Sequence, residues 1–462
     1  MPIFTVGAAG TTSSAYDVPY GLHLAENAYQ TRTFSSSSNR RTFTISIWVK
    51  LNLITTGTQY FIGGASSGSD YALLRYENYN FEWIAYNGSG VQTAYLRTTA
   101  LFKDPTAWYN IVIASDTTQA TDSNRTKMYV NGVQITEFQT ENYPSQNADY
   151  NYNHNIPHTF GAFNDGASSQ GGYFYGYMCE IVSIDGLQLE PTSFGEFDSD
   201  SNIWKPKSVS GLTFGTNGFY LDFATRATDA IDASGNGNNF SSTNVLATDH
   251  SIDTCTNNYA VMNYLNSGAN WKEGNLRVEV TTQDDYVAST LAVSQGKWYL
   301  EFKIIDQGTR GYIGFTDGVD IGQTPNNIRS SPAKWGMYMP AFSSSNDTSG
   351  TSNTTLGTAT DGDIICFAFD ADNGQLWMSK NGNIDTYATA HITGITTGNF
   401  FHCFLQETAS GGDISEYHFN FGNPIGLTIS SSNSDANGHG NFEYAVPSGY
   451  YALNSKNLAE FG

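Results

Sequence analysis

Apolar and polar residues alternate with a period of two wherever a pattern can be read along the chain. In TFTISIWV, residues 42–49, one face carries Phe43, Ile45, Ile47 and Val49 and the other face is mixed. This pattern predicts a strand that is buried on one face. Further strands are predicted at 108–115, 173–184, 297–305, 363–370 and 417–422. Helical periodicity is almost absent, so the sequence predicts an all-β protein.

Turn residues support this interpretation. Asn131-Gly132 and Asn381-Gly382 each follow an aromatic strand segment, as expected for two-residue hairpin turns in which both residues have positive φ. Both halves of the chain also contain a strand that begins Trp-Tyr, then an Asp-containing turn, then the strand that runs into Asn-Gly. The sequence therefore predicts two antiparallel β-sandwich, jelly-roll domains of related design.

Gly, Asn, Ser, Thr and Asp crowd together in residues 205–270, notably in DASGNGNNFSSTN. We interpret this stretch as a Gly/Asn-rich connecting segment, in which GFYLDF, residues 218–223, alternates and could add an edge strand to either sandwich. The sandwiches are then expected at 18–204 and 271–462. Residues 1–17 are small and polar without periodicity, which predicts an extended N-terminal arm that anchors the chain to a partner.

Charge and composition disfavour several classes of function. Only 14% of the residues are charged, against about 25% in an average soluble protein. The 43 acidic residues outnumber the 21 basic ones and give a net charge of −22, which disfavours nucleic-acid binding. No apolar run is long enough to span a membrane. MPIFTVGAAG lacks the basic and apolar regions of a signal peptide, so we expect synthesis in a cytoplasm.

Two stretches resemble known domains. The run from YGLHLAENAYQ through DPTAWYNIVIAS to YFYGYMCEIVSIDG resembles the laminin-G-like, concanavalin-A-like jelly rolls of tailed-bacteriophage virion proteins, and SQGKWYLEFKI, RGYIGF, DIICFAFDADNGQLWMSKNG and FNFG resemble a SPRY domain. Together they cover about three quarters of the chain. The resemblance implies a virion structural protein of the tail-fibre or appendage type, and it implies no catalytic residue.

Catalytic motifs are absent from the sequence. There is no Gly-x-Ser-x-Gly elbow, HExxH, CxxC or P-loop. Paired carboxylates for glycoside hydrolysis are a three-dimensional property, and Glu82, Glu180, Glu301 and Glu416 on predicted strands are the candidates. We expect a non-enzymatic protein, and a polysaccharide depolymerase is the enzymatic alternative.

Loop aromatics fit glycan binding, because sugar rings present apolar CH faces while their hydroxyls seek polar partners. FEWIAYNGSG and SPAKWGMYMP are the two loops that stand out. The alternative is that Trp83 and Trp335 belong to the cores of their sandwiches. The predicted glycan-binding residues are Trp83, Tyr86, Asn87, Asp317, Trp335 and Tyr338.

Calcium is the most plausible inorganic ligand. FDSDSN places Asp198, Asp200 and Asn202 at alternate positions, as a hard cation requires. The stretch lacks the Gly and Glu that complete an EF-hand, and the alternative is an acidic, solvated loop.

The leading hypothesis is a tail-fibre or appendage subunit, exposed on the virion, that contacts host surface polysaccharide. Its arm would bind other virion proteins, and a trimer is expected by analogy with phage appendages. The second hypothesis is a capsid decoration, head-fibre, neck or baseplate protein whose sandwich faces contact other proteins.

Overall fold

The computed structural model describes residues 16–25, 27–166, 170–225, 230–266, 269–281, 286–308, 311–317, 334–339, 343–346, 358–382, 384, 389–407 and 414–462. The chain divides into two compact units, and the division falls between Thr256 and Asn257. We call the described residues up to 256 the N-terminal domain and those from 257 the C-terminal domain. Both are built from antiparallel sheets, so the predicted fold class, all-β with two sandwiches, is confirmed.

The N-terminal domain packs two eight-stranded sheets against each other. Its strands are β1 (Gly21–Leu24), β2 (Tyr29–Thr33), β3 (Thr42–Leu51), β4 (Gln59–Ser67), β5 (Asp70–Glu77), β6 (Asn80–Tyr86), β7 (Gln92–Thr98), β8 (Trp108–Asp116), β9 (Thr126–Val130), β10 (Val133–Gln134), β11 (Phe138–Asn142), β12 (Pro157–Phe160), β13 (Phe163–Asn164), β14 (Gln170–Gly171), β15 (Gly176–Asp185), β16 (Gly195–Phe197), β17 (Trp204–Pro206), β18 (Phe219–Leu221), β19 (Ser241–Thr243) and β20 (His250–Ser251).

The first sheet has the order β10-β9-β8-β3-β15-β1-β20, with β18 also paired to β15, and the second has the order β11-β7-β6-β5-β4-β12-β2-β19. Alternate residues of each strand point inward, so Phe43 on β3 meets Trp83 on β6 with 5.9 Å between ring centroids. The core therefore lies between these two sheets. Short 3-10 turns occur at Asp122–Asn124, Pro191–Ser193 and Ala247–Asp249.

The predicted connecting segment is the main difference between expectation and structure. Residues 205–256 belong to the N-terminal domain: β18 pairs with β15, β19 with β2, and β20 with β1. GFYLDF supplies β18, so its expected edge strand is present and joins the first sandwich. Small polar residues here form tight turns between short paired strands, and composition alone does not distinguish these turns from a linker.

Strand β3 is buried on both faces, although its alternation predicted one mixed, half-exposed face. The polar face is covered by the chain beyond β15. Trp204 packs in one cluster with Trp48, and Asp253 forms an ion pair with Lys50. A strand with polar residues on one face can thus still be internal when later segments supply their partners.

The C-terminal domain also has two sheets. Its strands are β21 (Asn270–Lys272), β22 (Arg277–Val280), β23 (Tyr286–Ala288), β24 (Lys297–Asp306), β25 (Gly311–Thr316), β26 (Lys334–Met339), β27 (Ser343–Asn346), β28 (Ile364–Asp370), β29 (Gln375–Lys380), β30 (Ile392–Thr393), β31 (His402–Glu407), β32 (Ser415–Asn420) and β33 (Tyr451–Ala452). The orders are β21-β22-β32-β24-β28-β29-β30, with β33 parallel to β24, and β23-β31-β25-β26-β27.

Short 3-10 turns at Tyr264–Asn266 and Glu273–Asn275 and the helix α1 (Ser455–Phe461) complete this domain as described. Asn454 begins α1 by accepting a hydrogen bond from the backbone N–H of Asn457. Among the described residues, no helix is both long and apolar enough to cross a membrane. Residues 1–15, most of the predicted arm, lie outside the described residues.

The two Asn-Gly pairs behave differently. Asn131 and Gly132 have φ of 48° and 77° and join β9 to β10, which confirms the predicted hairpin turn. Asn381 also has positive φ, 52°, whereas Gly382 does not, and β29 pairs instead with β30, which begins only at Ile392. The second hairpin prediction is therefore wrong.

Candidate functional site

The first predicted glycan loop forms most of β6, and its aromatic residues point to opposite faces of that strand. Trp83 is 0% exposed and its ring lies 5.6 Å from that of Tyr150 in the core, so its prediction as a glycan contact is wrong. Tyr86 points to the opposite, outer face and is half-buried. Asn87 lies in the exposed turn after β6, where its Oδ1 accepts the N–H groups of Ser89 and Val91.

The second predicted loop is partly a strand. Trp335 lies in β26, is 4% exposed and has its ring 5.6 Å from that of Phe401. It is therefore a core residue, as the alternative interpretation had it, and its prediction as a glycan contact is wrong. Tyr338 lies in the same strand, and its side chain is outside the described residues. Asp317 accepts a hydrogen bond from Asn399 Nδ2 at 3.5 Å, and the residues from 318 to 333 are not described.

The predicted calcium loop does not fit a cation. Asp198 Oδ1 accepts the N–H groups of Asp200 and Ser201, and its Oδ2 lies 3.1 Å from Lys205 Nζ. These donors hold the pKa of Asp198 below its usual value. Asp200 and Asn202 lie in the same exposed turn. Within the described residues, no group of three or more His, Cys, Asp or Glu side chains is placed to hold a metal ion. The calcium prediction is therefore not supported, because Lys205 and backbone N–H groups occupy the carboxylate.

Tyr86 belongs to a larger surface that the sequence did not reveal. Strands β4 to β7 are consecutive neighbours, and period two brings one set of side chains to the outer side of their sheet. We define the β4–β7 face by seven half-buried side chains on these strands and the adjoining β13, together with the buried Glu82. The members are Tyr60, Tyr71, Arg75, Glu82, Tyr86, Tyr95, Arg97 and Phe163.

A charged ladder crosses this face. The register pairs Tyr60 with Arg75, Arg75 with Glu82, and Glu82 with Arg97. Arg75 Nε lies 2.8 Å from Glu82 Oε2, and Arg97 Nε lies 3.3 Å from Glu82 Oε1. Arg75 also reaches Glu77, with 2.6 Å between Nη2 and Oε2. Opposite charges on adjacent strands thus hold the polar groups in fixed positions.

The ladder perturbs the titration of its members. Burial raises the pKa of Glu82, although Arg75 and Arg97 oppose this effect. Burial disfavours the charged form of Arg75, but the carboxylates of Glu82 and Glu77 outweigh it and raise the pKa of Arg75. Arg75 is therefore a permanent cation on the face, and its guanidinium lies 6.0 Å from the ring centroid of Tyr60.

Four aromatic rings form an arc beside the ladder. Centroid distances are 5.1 Å for Tyr71 and Tyr86, 5.7 Å for Tyr71 and Phe163, and 5.5 Å for Tyr60 and Phe163. Burial raises the pKa of Tyr71 to about 12, and burial also raises that of Tyr60. Both phenols therefore stay protonated at neutral pH and can donate hydrogen bonds. The Tyr86 hydroxyl accepts from Gln92 Nε2 at 3.1 Å.

This arrangement offers both kinds of contact that a sugar requires. The half-buried rings present apolar surface, and the phenols and guanidinium groups beside them supply polar contacts. Neighbouring rings and salt bridges restrain these side chains before any ligand binds, which lowers the entropy lost on binding.

Sequence reasoning identified two members of this face, Tyr86 as a glycan contact and Glu82 as a candidate catalytic carboxylate, and did not connect them. A usable signal was present in NFEWIAY, where Phe81, Trp83 and Ala85 form the more apolar set and so should point inward. Tyr60, Tyr71 and Phe163 could not be added, because grouping them requires the pairing of β4 with β5 and the position of β13.

Comparison with known proteins supports the fold of the N-terminal domain. Residues 25–183 match the Laminin_G_3 family, described as the concanavalin A-like lectin/glucanases superfamily. This region is therefore a laminin-G, concanavalin-A-like jelly roll. No curated protein matches the chain.

Several solved structures share similarity with the chain. The SPRY domain of human HERC1 is 13% identical, with 36% of this chain and 99% of that chain covered and a TM-score of 0.29. Domains LG4-5 of the mouse laminin alpha1 chain are 11% identical, with 95% and 100% covered and a TM-score of 0.31. A Bacteroides ovatus protein proposed to bind carbohydrate is 12% identical, with 50% and 60% covered and a TM-score of 0.32.

Proposed function

We propose that this protein binds carbohydrate through the β4–β7 face and is not an enzyme. The contiguous arc of Tyr60, Phe163, Tyr71 and Tyr86 beside two arginines carries the proposal, because it combines ring faces with fixed polar groups. The match of residues 25–183 to a superfamily that includes lectins agrees with this function. Glucanases share that superfamily, so the fold alone does not separate binding from hydrolysis.

The carboxylate of Glu82 on the face and that of Glu77 beside it favour binding over hydrolysis. A glycosidase needs one carboxyl group to transfer a proton and a second to act as nucleophile or base. Both oxygens of Glu82 face the guanidinium groups of Arg75 and Arg97. Glu77 is held by Arg75 and by the hydroxyl of Thr58, which donates at 2.6 Å. Both carboxylates are thus held in ion pairs with arginine.

The biological setting we propose is the surface of a tailed-phage virion. The protein would be a tail-fibre or related appendage subunit, trimeric and anchored by residues 1–17, whose sandwiches contact host surface polysaccharide. The support is the resemblance of the sequence to phage virion proteins, together with a low-charge, aromatic-rich, all-β chain.

A glycan array probed with the full-length protein tests the binding function. We expect a restricted set of host surface polysaccharides to bind, and we expect the purified protein to block adsorption of the phage. Tyr71→Ala should lose both effects. Tyr20→Ala is the matched control, because Tyr20 is a half-buried tyrosine of the same domain whose ring contacts His250 at 5.0 Å beside the first sheet. An array without any bound glycan contradicts the proposal.

Two alternatives predict different results. A capsid decoration, head-fibre, neck or baseplate protein would be located elsewhere on the particle, and electron microscopy of labelled virions separates it from an appendage. A depolymerase would release reducing ends from host capsule or lipopolysaccharide. The proposal requires that no reducing ends form during incubation with the purified protein.

A further inference from the structure

The C-terminal domain contains a pocket of about 250 Å³ on the side of the β24 sheet that faces away from the sandwich core. The segment 426–429 closes one side of the pocket. Its polar lining includes Arg277, Lys303, His418 and Thr428, and its apolar lining includes Ile364 and Leu427.

The pairing of four strands places the charged residues in one row. Arg277 on β22 is opposite His418 on β32, His418 is opposite Lys303 on β24, and Lys303 is opposite Ile364 on β28. Because successive residues alternate between faces, the neighbours Tyr417, Phe419 and Phe302 point to the core and are fully buried. The row is thus fixed by the backbone of the sheet.

Lys303 supplies positive charge that the described residues do not balance. Its ammonium forms no ion pair with any described carboxylate, whereas Lys272, Lys297 and Lys380 of the same domain each form at least one. Arg277 donates Nε and Nη2 to Glu416, at 2.8 and 3.1 Å, and these bonds leave Nη1 as its remaining donor nitrogen. In a chain with 21 basic and 43 acidic residues, two cations beside one pocket are notable.

Two further polar groups of the pocket, those of His418 and Glu301, are engaged by other parts of the domain. His418 Nε2 contacts the carbonyl oxygen of Ile425 at 2.8 Å, and burial lowers the pKa of His418 to about 4, so the ring is neutral at pH 7. Glu301 accepts the N–H groups of Glu443 and Tyr444 and the hydroxyl of Tyr299. Both of its oxygens are engaged, so the Glu301 carboxylate is turned toward these donors.

The size of the pocket limits its ligand. Pockets for drug-sized ligands measure about 300–1,000 Å³, so this one suits a ligand of about one ring. Ile364 and Leu427 offer apolar contact, and the hydroxyl of Thr428 offers a hydrogen-bonding partner.

We propose that this pocket binds a monosaccharide-sized carboxylate, a hexuronate, with the carboxylate at Lys303 and Arg277 and the ring against Ile364 and Leu427. The site lies within the C-terminal domain and is independent of the β4–β7 face. It would allow the protein to select acidic over neutral saccharides.

Titration calorimetry of the full-length protein with sodium glucuronate tests this proposal, with glucose and inorganic phosphate as comparators. We expect saturable binding of glucuronate, at least roughly tenfold tighter than either comparator and weaker at high salt. Lys303→Gln should weaken glucuronate binding roughly tenfold or more, and Lys303→Arg should retain most of it because the charge remains. Lys297→Gln, which removes a lysine from the same strand outside the pocket, should bind as the parent protein does.

Three results would overturn the proposal: no saturable glucuronate binding, unchanged binding by Lys303→Gln, or phosphate binding as tight as glucuronate binding. The last would mean a general anion site. Tyr71→Ala should leave glucuronate binding intact, so failure of the β4–β7 face and failure of this pocket are told apart in one set of titrations.

Discussion

Lys50 and Asp253 form an ion pair with 2.7 Å between Nζ and Oδ2, and both side chains are 0% exposed. Trp108 Nε1 donates to the other carboxylate oxygen at 3.2 Å, and the ammonium lies 5.5 Å from the ring centroid of Tyr177. The pair joins β3 to Asp253, which lies 203 positions after Lys50 in the sequence. The ion pair therefore holds the segment after β17 against β3.

Replacing Asp253 should strongly destabilise the N-terminal domain. Asp253→Asn leaves the Lys50 ammonium buried without its counter-ion, and breaking such a pair costs about 3–5 kcal/mol. The free energy of unfolding, measured by urea denaturation, should fall by this order. The double variant Lys50→Met/Asp253→Leu should recover much of the loss, because no charge is then left unpaired. Equal stability of Asp253→Asn and the parent protein would show that the pair is unimportant.

Glu180 should make stability depend on pH. It lies at a β-bulge with φ of 49°, and it accepts hydrogen bonds from Tyr220 at 2.6 Å and Tyr16 at 3.1 Å. Burial raises its pKa to about 7, although both tyrosines oppose this effect. An unfolded glutamate titrates near about 4.3, so the folded state binds the proton more tightly. The resulting stability is present below about pH 4.3 and is lost as the pH rises to about 7.

Urea denaturation at about pH 5 and about pH 8 measures this effect. The parent protein should be less stable at the higher pH through this group, by at most about 3 kcal/mol. Glu180→Gln carries no titrating group, so its stability should change less between the two values. If both proteins show the same pH dependence, another group is responsible.

Trp83 and Tyr86 should separate stability from binding, because they point to opposite sides of β6. Trp83→Ala empties a core position and should cost about 3–5 kcal/mol of unfolding free energy. At temperatures where it remains folded, its glycan binding should be unchanged. Tyr86→Ala should weaken glycan binding with little loss of stability. Thermal unfolding and glycan titration of both variants check this. Weakened binding by folded Trp83→Ala together with unchanged binding by Tyr86→Ala would contradict the assignment of the two faces.

The strands could be predicted from local sequence because alternation is a local property. WYNIVIAS and KWYLEFKII form β8 and β24 almost at the predicted boundaries. The Asn131-Gly132 turn could be predicted for the same reason, since positive φ at both residues is a property of the dipeptide. Asn381-Gly382 is the same dipeptide, but β30, which pairs with the preceding strand β29, begins only at Ile392, so the local signal was misleading.

The functional surfaces depend on pairing, which local sequence does not specify. Lys50 follows the predicted strand 42–49, and its buried partner Asp253 lies in a stretch that resembles a linker by composition. Tyr60 and Tyr71 join Tyr86 only through the order of β4, β5 and β6. Arg277 and Lys303 come together because β32, from near the end of the domain, lies between β22 and β24.

The most direct test of the carbohydrate-binding account is a titration of the full-length protein and its Tyr71→Ala variant with the saccharide that binds best on the array. Tyr71 lies in the middle of the aromatic arc, with contacts to both Tyr86 and Phe163. The account predicts saturable binding by the parent protein and by Tyr20→Ala, and a loss of roughly tenfold or more in Tyr71→Ala at unchanged melting temperature. Equal affinity of Tyr71→Ala and the parent protein would contradict it.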